Sequence, residues 1–150
     1  SLSASGVIGF AGRRPVSMLR VIFPENTEET ALWEVRACLN EHRIETFHSA
    51  CGVEGLCLLL SSGAESDTLH AAAEQLRERF PDAKVKLREN LAVLLTLYRS
   101  TKDIPKLSAA IEASGAPVHH LVQTPPGAMF CVNDSQYEQA LRAAYGAAFA

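Results

Sequence analysis

The sequence lacks any apolar run long enough to cross a membrane. Its longest apolar stretch, Leu91 to Tyr98, is about half the length that a transmembrane helix requires. The N-terminus also lacks the long apolar segment of a signal peptide. We therefore expect a soluble chain in the cytoplasm that has no membrane partner.

Basic residues are not in excess over acidic ones. The 150 residues include 14 Lys and Arg against 17 Asp and Glu, which gives a formal net charge of -3. A chain with this balance offers no broad positive surface to a phosphate backbone. RNA recognition also requires aromatic side chains on which bases stack, and Phe47 and Phe130 are the only candidates on the central strands predicted below. We therefore expect no nucleic-acid partner.

The cysteines lack the spacing of a zinc or redox site, because no two of them are separated by two residues. The four are Cys38, Cys51, Cys57 and Cys131. We interpret them as small, partly buried apolar side chains, which a reducing compartment keeps as thiols. His119 and His120 are adjacent on a predicted strand, so their side chains point to opposite faces and cannot both bind one metal ion. We expect no metal site and no cofactor.

What the sequence does contain is the composition of an ordinary globular protein. Hydrophobic residues make up 47% of the chain, charged residues 21% and aromatic residues 7%. A chain of this length can bury about 70% of its unfolded surface without disulfide bonds. We therefore expect one globular domain or two very small ones.

The first half of the chain carries the pattern of a β-α-β-β-α-β unit. Segments rich in apolar and β-branched residues predict strands, and segments with apolar residues at helical spacing predict helices. The predicted strands cover residues 16–23, 44–50, 56–61 and 84–87, and the predicted helices run from 26 or 27 to about 42 and from 67 to 80. A turn from Gly52 to Gly55 makes the second and third strands a hairpin.

The second half repeats this order. Strands are predicted over residues 91–98, 117–123 and 127–132, and helices over 102–114 and 135–149. The pattern therefore predicts an α+β fold of two ferredoxin-like units, with a repeat of about 75 residues. The second unit lacks a last strand, and Gly6 to Ala11 is a spare strand that would cover the open sheet edge. We predict that the first unit, 14–88, is inserted within the second, 6–12 plus 89–150, so that neither half is stable alone.

The segment from Ser114 to Phe149 carries a more specific pattern. It reads SGAPVHHLVQTPPGAMFCVNDSQYEQALRAAYGAAF, with two apolar strands around a short turn and a helix that contains Ala-Leu-Arg-Ala at 140–143 and ends in Phe149. This pattern resembles the second ACT domain in the regulatory region of aspartate kinase. Val7 to Phe10 falls where that family has the strand that precedes its first ACT domain. The resemblance spans nearly the whole chain.

The resemblance implies an allosteric regulatory module. It would bind an amino acid, lysine or threonine, form a homodimer through its ACT sheets, and bias an attached or associated kinase domain that phosphorylates aspartate with ATP. The sequence itself contains no glycine-rich phosphate loop. No nucleophile, base and orienting residue can be assembled from it either, so we predict no catalytic residue in this chain.

The resemblance also implies where an effector would bind. In that family the effector is held by main-chain groups of the loop after the first strand of a unit, and by the following helix N-terminus, where unpaired N-H groups and the helix dipole suit a carboxylate. The matching positions are Pro24, Glu25, Asn26 and Thr27 in the first unit and Ser100, Thr101, Lys102 and Asp103 in the second. Asp103 or Glu25 would take the ammonium group.

Three further residues complete the predicted effector site. Phe47 stands where the family has an acidic residue on the second strand. His119 is either a structural or dimer-contact histidine or part of the site. Gln123 begins a polar turn that would form a rim for a small ligand, or is only part of a turn.

The alternative interpretation is a dimerisation scaffold without a ligand, or a stand-alone ACT regulator. The Pro-Gly pair that the family carries at the start of the first helix is replaced by Glu29 and Thr30 here, and the loop from Arg99 to Pro105 has no glycine. Because glycine permits a close approach of the backbone to a ligand, its absence favours the scaffold. The apolar strand from Leu91 to Tyr98 is then the predicted seam between two copies.

Overall fold

The computed structural model describes residues 6–24, 28–53 and 55–149. The chain divides into two compact units. The central unit is Val16–Glu89, and the flanking unit joins the segment that ends at Pro15 to the segment that begins at Asn90. The strands are β1 (Val7–Ile22), β2 (Thr46–Gly52), β3 (Gly55–Leu60), β4 (Lys84–Tyr98), β5 (His120–Thr124) and β6 (Gly127–Asn133). The α-helices are α1 (Glu28–Glu41), α2 (Ser66–Arg79), α3 (Ile104–Ala113) and α4 (Tyr137–Phe149).

The central unit packs two helices on one face of its sheet. Its strand order is β2-β3-β1, with β4 beside β1, and β3 is antiparallel to both of its partners. Leu56, Leu58 and Leu60 alternate along β3, so all three project to one face. There they join a core that α1 and α2 complete with Val35, Leu39, Leu69 and Leu76. Full burial of a leucine side chain contributes about 2 kcal/mol, so this face holds the unit together.

The flanking unit has the same plan. Its strand order is β1-β4-β6-β5, and β6 is antiparallel to β4 and β5. Leu94 and Phe130, which are opposite each other on β4 and β6, are fully buried beneath α3 and α4. Along α4 the alanines at positions 140, 144 and 148 form one buried stripe, and these small side chains let the helix lie close to the sheet. The predictions of an α+β fold and of antiparallel hairpins are confirmed.

Two pairs of predicted strands are each one continuous strand, which corrects the sequence prediction. The segments at 6–11 and 16–23 are both parts of β1, and those at 84–87 and 91–98 are both parts of β4. The sequence pattern breaks at Gly12–Pro15, whose residues are exposed, and at Asn90, whose φ of 57° lies in the left-handed region. Asparagine tolerates that conformation better than most residues, and β4 continues through it.

Smaller corrections concern the starts of three elements. A 3-10 turn, Thr101–Asp103, precedes α3, and another, Asp134–Gln136, precedes α4. Strand β5 begins at His120 rather than at Pro117, since proline has no N-H to contribute to a sheet.

The predicted dimer seam is also wrong. Strand β4 has hydrogen-bonded neighbours on both sides, β1 and β6, so residues 91–98 form no edge. The outermost strands are β2 in the central unit and β5 in the flanking unit. Among the described residues, no helix combines the length and the apolar character that crossing a membrane requires.

Candidate effector site

The loop that follows β4 brings Ser100, Thr101, Lys102 and Asp103 together in the flanking unit. The Arg99 N-H donates a hydrogen bond to the Gly6 carbonyl oxygen at 2.7 Å, so Gly6 lies beside this loop. Gly6 has a φ of 71°, which favours glycine. A Cβ at this position would lie 2.9 Å from Asp103 Oδ2. The conformation therefore favours glycine here, and the absence of a Cβ leaves room for the Asp103 carboxylate.

The same loop starts a helix in a defined way. Ser100 is extended and its Oγ accepts a hydrogen bond from the Lys102 N-H at 3.4 Å, which caps the 3-10 turn. The chain then enters α3 with Pro105 in the first turn, where a missing N-H costs nothing. Ile104 and Leu107 anchor the helix in the core. The positive end of α3 thus opens at this loop.

The Asp103 carboxylate has one oxygen atom without a hydrogen-bond partner among the described residues. Its Oδ2 is buried and accepts no hydrogen bond from any described residue. The Tyr98 hydroxyl, at the end of β4, is likewise buried and without a hydrogen-bond partner in the described part of the chain. A buried carboxylate oxygen without a donor is costly, so such an atom indicates a ligand or water that the protein atoms do not supply. An ammonium group would satisfy it.

The corresponding loop of the central unit is described only in part. Pro24 is exposed at the end of β1, and Glu25, Asn26 and Thr27 lie outside the described residues. Beside Pro24, Phe23 packs edge-to-face on Phe80 with ring centroids 5.2 Å apart. These residues line an open cleft of about 340 Å³ together with Arg79, whose charge is paired with Glu34 at 3.1 Å.

The three remaining predicted site residues are in separate surroundings. Phe47 is the extra residue of a bulge in β2, half-buried in the central unit. His119 precedes β5, and its Nε2 lies 2.8 Å from Asn133 Oδ1 at the end of β6. Gln123 is exposed on β5 opposite Ala128. Within the flanking unit, His119 is therefore tied to the β5–β6 hairpin.

Sequence reasoning missed Gly6, Tyr98 and a cluster around Arg14. Arg14 Nε lies 2.8 Å from Asp134 Oδ1, its Nη1 lies 3.3 Å from Glu138 Oε1, and its guanidinium lies 4.5 Å from the centre of the Tyr137 ring. The hydrogen bond to Asp134 raises the pKa of Arg14 above its already high ordinary value. This cluster links β1 to the start of α4, and the Arg14 guanidinium is already paired with two carboxylates. No local pattern signals a contact over 120 residues.

No family model matches the sequence, and neither does any curated protein. Solved structures do match the fold. The regulatory subunit of aspartate kinase from Thermus thermophilus, in its ligand-free form, aligns with a TM-score of 0.74 and 20% identity over 97% of this chain and 99% of that one. The fold is that of an aspartate kinase regulatory subunit. The resemblance inferred from residues 114–149 is thereby confirmed.

Two longer enzymes contain the same fold. Aspartate kinase from Clostridium acetobutylicum aligns with a TM-score of 0.80 and 15% identity over 95% of this chain. E. coli aspartokinase III, solved in complex with lysine and aspartate, aligns with a TM-score of 0.72 and 18% identity over 97% of this chain. The present chain spans 34% of each of those chains. In this chain the loop from Ser100 to Asp103 lies between β4 and α3 of the flanking unit.

Proposed function

We propose that the chain is an amino-acid-binding regulatory module of an aspartate kinase. The fold supports this proposal, because the Thermus thermophilus protein that it matches along nearly its whole length is a regulatory subunit. The observation that carries it is Asp103 Oδ2, buried and without a hydrogen-bond donor among the described residues, at the start of α3. That is the position at which an ACT unit would take an amino acid.

The effector would bind in an orientation that the charges dictate. Its ammonium group would face Asp103, and its carboxylate would face main-chain N-H groups at the start of α3, where the helix dipole favours an anion. The lysine in the E. coli enzyme supports an effector of this class. Lysine or threonine is the proposed effector. Binding would shift an attached or associated kinase domain between two states through a coupling free energy of about 1–3 kcal/mol.

A thermal-shift screen against the twenty amino acids at millimolar concentration tests this function. Ligand that binds only the folded state raises the melting temperature by mass action. We expect lysine or threonine to raise it, and the shift to disappear in Asp103→Asn. Asp67→Asn is the matched control, because Asp67 is an exposed acidic residue in the first turn of α2. The proposal fails if no amino acid changes the melting temperature, or if both variants respond as the wild type does.

We further propose that the first unit is inserted within the second. The unit boundaries at Pro15 and Glu89 support this arrangement. Val7 supports it as well, because it is 1% exposed in the same core as Leu94 and Phe130. A flanking unit expressed without residues 1–15 should then lose its cooperative unfolding transition. A sharp transition in that fragment would refute the insertion.

A dimerisation scaffold is the second candidate, and an exposed sheet edge favours it. Strand β2 is outermost and contains no charged residue, although charges are a common way to prevent edge pairing. If copies join through β2, Ala50→Lys should halve the mass measured by light scattering, and Gln123→Lys on β5 should leave it unchanged. A monomeric wild-type chain would rule out the scaffold.

A further inference from the structure

The flanking unit contains a second concave surface that does not involve the Ser100–Asp103 loop. It is an open groove of about 660 Å³ between the first residues of β1 and the last turns of α4. Ile8–Phe10 line one side, and Leu141, Arg142, Tyr145, Gly146 and Phe149 line the other. Its size is within the range of small-molecule sites.

Three aromatic rings form the wall of the groove. Tyr145 and Phe149, one helical turn apart, have ring centroids 4.6 Å apart, and Phe10 lies 6.2 Å from each of them. Tyr145 remains 58% exposed and Ile8 49% exposed. Packing among the described residues therefore leaves a large part of the wall uncovered. Aromatic rings at these spacings accept a further ring in a stacked or edge-to-face arrangement.

Two glycines keep the groove open. A Cβ at Gly9 or at Gly146 would meet no atom within 4 Å, so neither glycine is required by a close contact of the protein with itself. Gly146 lies inside α4, where glycine is about 1 kcal/mol less favourable than alanine. What these glycines provide is space on the floor of the groove.

The charge of the lining is one-sided. Arg142 is exposed and forms no ion pair with any residue that the structure describes. Among the described residues no carboxylate lines the groove, and the nearby Glu138 already pairs with Arg14. An anionic group would therefore gain a bidentate partner in Arg142, whereas an ammonium group would find none.

We propose that this groove binds a small aromatic carboxylate that carries no ammonium group. The ring would lie against Phe10, Tyr145 and Phe149, and the carboxylate would accept hydrogen bonds from Arg142. This site is independent of the proposed effector site, which offers a carboxylate to an ammonium group. The two sites thus differ in whether they accept an ammonium group.

Three indole compounds that differ in charge test the proposal: indole-3-acetate, tryptophan and tryptamine. The readout is the amide signals of Gly9 and Gly146 in two-dimensional NMR spectra of the full chain, which report on this groove and not on the Ser100–Asp103 loop. We expect indole-3-acetate to shift both signals saturably and to bind about tenfold more tightly than tryptamine, because a charge-assisted hydrogen bond contributes about 1.5 kcal/mol or more. Tryptophan should be intermediate.

Variants separate the charge from the cavity. Arg142→Gln should reduce the affinity for indole-3-acetate about tenfold, and Lys106→Gln, which removes an exposed cation from α3, should not change it. Gly146→Leu should fill the groove and abolish the shift of the Gly9 signal, with a melting curve to show that the variant folds. The proposal is overturned if no probe shifts these signals or if all three bind equally. It is also overturned if the signals change only with protein concentration, since a second copy of the chain then covers the groove.

Discussion

The hydroxyl group of Tyr137 occupies the place where a Cβ at Gly12 would lie. The two residues are brought together where β1 passes the start of α4, and Arg14 reaches over the same tyrosine ring to Asp134 and Glu138. The absence of a Cβ at Gly12 therefore allows the close approach of the Tyr137 side chain. The contact joins the two segments that make up the flanking unit.

Gly12→Ala should destabilise the protein by about 1–3 kcal/mol, because the added methyl group overlaps the Tyr137 side chain, which is 7% exposed. Urea denaturation measures this change. Gly9→Ala is the control on the same strand, since a Cβ there meets nothing. Equal stability of the two variants would show that the contact has no energetic role.

Val7→Ala should lower the free energy of unfolding by about 2 kcal/mol, because Val7 is 1% exposed in the core of the flanking unit. Val53→Ala removes the same groups from a fully exposed position and should leave the free energy of unfolding within about 0.5 kcal/mol. Chemical denaturation of both variants makes the comparison. A neutral Val7→Ala would mean that this segment does not contribute to the core.

Gly6→Ala should weaken binding of the most effective amino acid of the thermal-shift screen by about tenfold, which is about 1.4 kcal/mol. The new Cβ would lie 2.9 Å from Asp103 Oδ2 and displace that carboxylate. Calorimetric titration gives the affinity. Gly63→Ala is the control for backbone strain, since Gly63 also has a positive φ, 131°, but has no neighbour near its Cβ position. Equal affinity in both variants would remove Asp103 from the proposed site.

Protonation of His48 should make stability depend on pH. Burial lowers the pKa of His48 below its ordinary value of 6.5, so protonation of this side chain is less favourable in the folded state than in the unfolded chain. Below about pH 6.5 the unfolded chain binds the proton more readily, and the free energy of unfolding falls as the pH decreases. Above that pH the contribution is fully present. His48→Gln should flatten the slope between pH 7 and 5 in urea denaturation. A slope in His48→Gln equal to that of the wild-type chain would contradict this prediction.

Much of the fold could be predicted from the sequence because each element carries its own periodicity. The apolar run from Leu56 to Leu60 and the helical spacing from Leu69 to Leu76 are local properties, and both elements are predicted within one or two residues of their observed bounds. The continuity of β1 and β4 could not be predicted in this way. The sequence pattern predicts an interruption of the strand at Gly12–Pro15 and at Asn90. Both strands nevertheless continue through these positions.

The candidate sites also contain residues that a local pattern predicts and residues that it does not predict. The loop from Ser100 to Asp103 could be located from the sequence because it follows a strand and starts a helix. Gly6 could not be assigned to it, since nothing local connects positions 6 and 103. Nor could the groove be predicted, because its walls come from opposite ends of the chain. Phe10 and Phe149, for example, are in contact although most of the sequence separates them.

The sequence by itself determined the α+β class, the repeat and the resemblance to a regulatory ACT pair, because these depend on short-range spacing of apolar residues. Only the tertiary structure decided which side chains meet. It brought Gly6 to Asp103, placed Arg142 beside three aromatic rings, and put β4 inside the sheet and away from its edge. These contacts join residues distant in the chain, and their partners are set by packing of the whole unit and not by any local pattern.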